Sequence, residues 1–150
     1  LKRPECVLTT AKGEVFAASI GGGSRMNGIT LSVGEPSDEL KVAGPKHFVV
    51  PFANMQSKQV EAVGHVPSLA YRIALIAAGR ISASFVKPNA HDWDLAAADL
   101  ILAEAGGTLV RADGSRPLYA GKTVSHGVLA AGHPSLMQGM LGVVAATSIG

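Results

Sequence analysis

The chain holds 150 residues, of which 47% are hydrophobic and 16% charged. That is enough for a domain with a sizeable core, and too apolar for a disordered tail or a solvated coiled coil. Lys and Arg number 13 against 11 Asp and Glu, a net charge of +2, and no basic run forms, which argues against nucleic-acid binding.

Cys6 is the single cysteine. It excludes an internal disulfide and a Cys-based zinc site, and fits a reducing, cytoplasmic location. No apolar run reaches the roughly 18–20 residues that span a bilayer, so no membrane partner is expected. Leu1-Lys2-Arg3-Pro4-Glu5 leads into no signal-peptide apolar region. A start on Leu rather than Met is a first hint of a fragment.

In chain order, Val7-Leu8-Thr9-Thr10 and Glu14-Val15-Phe16-Ala17-Ala18 read as strands joined by a turn at Ala11-Lys12-Gly13. Asn27-Gly28 is a strong turn signal, and Ile29-Thr30-Leu31-Ser32-Val33 follows as a strand. Residues 7–33 thus predict an antiparallel meander, too small to stand alone and open at its edges.

Beyond Gly34 the pattern changes. Lys41–Gly44 and Phe48–Val50 are strand candidates, one or both, and Asn54–Val63 a helix candidate. Ser68–Ala78 predicts a helix with Ser68 as N-cap and Gly79 past its end. Ile81–Val86 is a strand and Lys87–His91 a loop. Trp93–Ala105 is the clearest helix, with Asp92 able to cap it and Gly106-Gly107 stopping it. Thr108–Val110 and Gly127–Ala131 are strands, with a turn over 111–115, and Pro134–Ala146 is the last helix. Strands alternating with helices predict an α/β layer structure. We divide the chain into an antiparallel region at 1–35 and a mixed-sheet α/β domain at 36–150.

The richest chemistry lies in His91-Asp92-Trp93-Asp94. Carboxylate oxygens suit hard cations such as Mg²⁺, and a carboxylate in a first helical turn is favoured in its ionised form. The structural alternative has Asp92 capping the helix, Asp94 decorating its first turn and Trp93 in the core. Ser68 and Leu69 can offer backbone N–H groups to an anion at a helix N-terminus. Gly21-Gly22-Gly23 is no dinucleotide fingerprint, since Met26 stands at the third Gly position. No Walker A motif or Gly-x-Ser-x-Gly elbow is present. Glu104 reads as structural or solvated.

The run from Asp92 through Trp93-Asp94, an apolar helix and Glu104-Ala105-Gly106-Gly107 resembles the C-terminal signature of the inositol monophosphatase family. The hairpin and Asn27-Gly28 turn, Ser68-Leu69-Ala70-Tyr71-Arg72, and Val128–Ala131 with His133-Pro134 are also similar to it. The resemblance implies the C-terminal part of the sugar-phosphatase-like fold, preceded by a remnant of an antiparallel sheet. It also implies Mg²⁺-dependent hydrolysis of a small phosphorylated metabolite. It makes Asp94 a metal ligand, with Asp92 and Trp93 behind it, and puts Ser68, Leu69, His91 and Lys87 at the substrate. It leaves a homodimer open. Lys87 falls near an acidic residue that contacts a sugar hydroxyl in the inositol enzymes. The cation there weighs against inositol phosphate as preferred substrate and in favour of one with a second phosphate or a carboxylate; the alternative is a solvated surface lysine. Pro67, where the family often has Gly, lacks an N–H donor.

The family's main metal motif, Asp-Pro-Ile/Leu-Asp-Gly-Thr, is absent from the sequence. Asp113-Gly114-Ser115 lacks the preceding Asp-Pro and reads as a turn. The resemblance implies that the missing parts belong to an N-terminal half of about 100 residues or more. Two readings follow: a portion of a phosphomonoesterase, or a catalytically inert fragment or anion-binding module.

Overall fold

In the computed structural model, residues 5–10, 12–64, 66, 68–88, 90–117, 119 and 125–149 are described. The first four strands are β1 (Glu5–Thr9), β2 (Val15–Ser19), β3 (Gly23–Met26) and β4 (Ile29–Thr30). They form an antiparallel sheet in that order. The Asn27-Gly28 turn works through positive φ at both residues, 49° and 82°, the twist that a two-residue hairpin needs. The strand expected at 29–33 is shorter than its pattern suggested, ending at Thr30. Ala11 of the first turn lies outside the described residues.

The second sheet is mixed. It contains β5 (Glu39–Ala43), β6 (Gln59–Ala62), β7 (Ala83–Val86), β9 (Thr108–Arg111) and β11 (Leu129–Gly132), in the order β6-β5-β7-β11-β9. β5 runs parallel to both β6 and β7, and β11 is antiparallel to β7 and β9. The short strands β8 (Ala90–His91) and β10 (Ser125–His126) pair antiparallel with each other. Thus the expected loop at 87–91 ends in a strand.

The described residues also hold four helices: α1 (Lys46–Met55), α2 (Leu69–Ala77), α3 (Asp92–Glu104) and α4 (Pro134–Ile149). Two expectations are corrected here. Phe48–Val50 is helical, and Asn54–Val63 holds the end of α1 followed by strand β6. Pro51 lies inside α1 and removes one helical N–H. Burial of Phe48, Val49 and Phe52 on one helix face outweighs that loss and the poor propensity of Val49-Val50.

The helices sort to the two faces of the mixed sheet. Leu40, Val42, Ala83, Phe85 and Ala130 pack under α1 and α4. Ala43, Val86, Leu129 and Ala131 face α2 and α3. The strands alternate between these clusters as a pleated sheet covered on both sides requires. Phe16 and Ala18 of β2 join the second cluster. Helices α2 and α3 are therefore buried between the two sheets, giving four layers.

Candidate anion and metal site

Helix α2 starts where expected. Ser68 is in the extended conformation, and its hydroxyl accepts from the Tyr71 N–H at 3.1 Å. Leu69 is half-buried against the core. Helix α3 begins at Asp92, so Asp94 lies in its first turn. The side chains of His91, Asp92, Trp93 and Asp94 lie outside the described residues, as does Pro67. Their backbone shows that β7, Lys87, β8 and the first turn of α3 follow one another. The first turn of α3 thus stays within a few residues of the carboxyl end of β7. Among the described residues, no group of three or more His, Cys, Asp or Glu side chains could hold a metal ion.

The carboxyl ends of β5, β6 and β7 open into a cleft of about 780 Å³. Lys87 lines it just beyond β7, as do Lys46 and His47 at the start of α1 and Arg72 on α2. Helices α1 and α2 leave this edge on opposite faces of the sheet. A crevice at such a switch point is where parallel α/β sheets hold ligands. The cleft therefore receives the N-terminus of α1, the positive end of its backbone dipole, and the Arg72 side chain from α2.

Arg72 closes the Ser68–Arg72 segment that the resemblance singled out, but sequence reasoning gave its side chain no role. It is half-buried, and its Nε is sealed from solvent with no hydrogen-bond partner among the described residues. Burial lowers the guanidinium pKa from its ordinary value. The signal was present in the composition: residues 62–91 contain no Asp or Glu at all. No carboxylate near in sequence therefore neutralises Arg72. A smaller cavity of about 100 Å³, bordered by Glu35, Ser82 and His133, opens at the other end of β7. It brings together one imidazole and one carboxylate, 3.7 Å apart.

The remaining polar clusters hold the layers together. Glu104 accepts from the backbone N–H groups of Gly21 at 3.1 Å and Gly23 at 2.9 Å, so its side chain anchors the β2–β3 turn, in line with the structural reading. Asp113 accepts from the N–H and hydroxyl of Ser115, which makes 113–115 a self-contained turn.

A buried helical layer thus lies between an antiparallel and a mixed sheet, with a cationic cleft at the strand ends. The model of the inositol monophosphatase family matches residues 5–147, and the chain belongs to that family. It is 31% identical over 130 residues to the inositol-1-monophosphatase of Rhizobium meliloti (strain 1021), covering 79% of this chain and 48% of the relative. An inositol monophosphatase of Dictyostelium discoideum is 28% identical over 123 residues, covering 74% and 45%. The chain thus spans about half the length of these relatives. In structure it is similar to the Thermotoga maritima IMPase, with a TM-score of 0.75 at 21% identity, covering 96% of this chain and 56% of that one.

Proposed function

We propose that this chain is the C-terminal portion of a Mg²⁺-dependent phosphomonoesterase, which when complete hydrolyses a small phosphorylated metabolite. The family match over residues 5–147 carries this reading. Asp94, in the first turn of α3, is our metal ligand. A helix N-terminus favours its ionised form, and carboxylate oxygens are the donors that Mg²⁺ prefers. Bound there, the ion would supply charge neutralisation for phosphoryl transfer. Asp92 and Trp93 flank Asp94, while Ser68, Leu69, His91 and Lys87 are our substrate contacts. Residues 1–35 are the end of a larger antiparallel sheet in this reading, and 36–150 the C-terminal domain.

The absent Asp-Pro-x-Asp-Gly-Thr motif favours a second reading for the chain alone: an inert, anion-binding piece. One carboxylate cannot hold the pair of ions that in-line displacement uses.

The test is phosphate release from a panel of phosphomonoesters, with and without Mg²⁺, by this chain and by Asp94→Asn. Mg²⁺-dependent turnover that the substitution abolishes supports a complete site. No turnover supports the inert reading. Turnover unaffected by Asp94→Asn sinks the assignment of Asp94.

A further inference from the structure

We propose that Arg72, with Lys46 and Lys87, forms a receptor for a second anionic group of the substrate, of phosphate or carboxylate type. The site makes Arg72 a specificity-determining residue. This rests on the phosphatase reading for the word substrate, but the anion site itself does not.

The observations converge on one place. The cleft of about 780 Å³ is lined by Lys46, His47, Arg72 and Lys87 and, among the described residues, by no carboxylate. No hydrogen bond or salt bridge to another described side chain occupies these four groups. A guanidinium nitrogen sealed from water without a partner is costly, and native structures rarely leave one so. Arg72 also lies in the first turn of α2, where the helix dipole repels a cation. Pro45 starts α1 on the opposite wall, its carbonyl accepting from Phe48 and Val49 while the helix axis points its positive end at the cleft. Each contribution disfavours the others' charge. An anion in the cleft offsets the mutual repulsion of Lys46, Arg72, Lys87 and the α1 N-terminus, and reaches the sealed Nε through a shift of the Arg72 side chain. The planar fork of Arg matches two oxygens of a phosphate or carboxylate, whereas Lys46 and Lys87 act as mobile point charges. A neutral polyol would leave the guanidinium unpaired.

The glycine at the cleft floor fits this use. Gly44 has a φ of 127°, and a Cβ there would approach the Phe85 carbonyl oxygen to 2.7 Å. Only the bare backbone lets the β5–α1 connection pass this close to β7 and open the cleft beside it.

The experiment is an anion titration of this chain in EDTA, followed by NMR shifts of backbone amides, using inorganic phosphate, acetate and malonate as separate probes. Saturable binding in the millimolar range is expected, with the largest shifts at residues 44–47 and 69–72. Arg72→Gln weakens it about tenfold or more, and Arg72→Lys restores part of it. Lys12→Met removes the same charge at the β1–β2 turn and leaves binding as it was. Circular dichroism verifies that each variant is folded. Phosphate against carboxylate preference identifies the anion class. Absence of saturable binding by all three probes overturns the proposal. So does binding that Lys12→Met reduces as much as Arg72→Gln does. Because EDTA removes metal dependence, phosphatase activity without anion binding would overturn only this inference. Anion binding without phosphatase activity would overturn only the functional reading.

Discussion

The Tyr71 hydroxyl donates to the Glu14 carboxylate at 2.7 Å, joining helix α2 to the turn before β2. Arg80, just past α2, binds the other carboxylate oxygen at 2.6 Å. One acidic residue thus clamps both ends of α2 against the antiparallel sheet.

This clamp sets an acid limb. Tyr71's hydrogen bond, and after it Arg80's, hold the Glu14 carboxyl below its ordinary value of 4.5. Its contribution is complete above that value and is lost as pH falls through the lower pKa of the folded chain. Glu14→Gln should flatten the fall of thermal stability below pH 4.5, and Tyr71→Phe should lower Tm by a few degrees at neutral pH. Thermal melts across pH measure both. An unchanged acid limb in Glu14→Gln would remove the clamp from the account.

Asp99 has the opposite sign. It is buried in α3 and accepts from Tyr119 at 2.7 Å and Arg116 at 3.1 Å. Burial raises its pKa above 3.8, with Tyr119 and Arg116 opposing. The folded chain therefore keeps its proton longer, and this group's contribution declines as pH rises from 3.8 through the folded value. Asp99→Asn should remove that decline and change neutral stability by no more than about 1 kcal/mol. Tyr119→Phe strips a donor from a buried carboxylate and should cost about 1–3 kcal/mol. Denaturant titrations of the two variants give the ranking, and the reverse order would contradict it.

Glu104→Gln should cost about 1.5–3 kcal/mol, since hydrogen bonds to a charged group are the stronger kind. The loss should appear in hydrogen exchange as faster opening at Gly21 and Gly23, whose N–H groups it binds. Uniform exchange rates there would show that the turn holds itself.

Gly44→Ala should destabilise by about 1–3 kcal/mol, combining positive φ with an approach to the β7 backbone. It should also weaken anion binding, because the β5–α1 connection has to move. A variant with native stability in chemical denaturation would mean that this connection gives way easily.

Much of this was legible in the chain itself. Helix α2 was marked by its Ser68 cap and apolar spacing, α3 by acidic residues at its start and Gly106-Gly107 at its end. The hairpin was marked by Asn27-Gly28. Helix α1 was not, because Val49-Val50 and Pro51 argue locally against a helix, and only packing on Phe85 and Met140 overrules them. Strand β6 hid because Gln59–Ala62 is an edge strand, largely exposed, and lacks the apolar run of its neighbours. At the site, Asp94 announced itself through its sequence context. Arg72 stood in the matching Ser68–Arg72 segment without a role of its own, since a cation on a helix usually reads as solvated. Its meaning depends on α1 and β6, the two elements that local pattern misassigned.

Helix α3 has a further consequence. Its last residue grips the β2–β3 turn and its first turn carries Asp94, with about 15 Å of stiff rod between them at 1.5 Å per residue. The hairpin is thus mechanically continuous with the candidate metal ligand. A substitution at Gly22 sets a Cβ against the Ser19 hydroxyl at the turn, a clash that rotation of Ser19 relieves, so the rod carries a displacement only where the turn backbone itself moves.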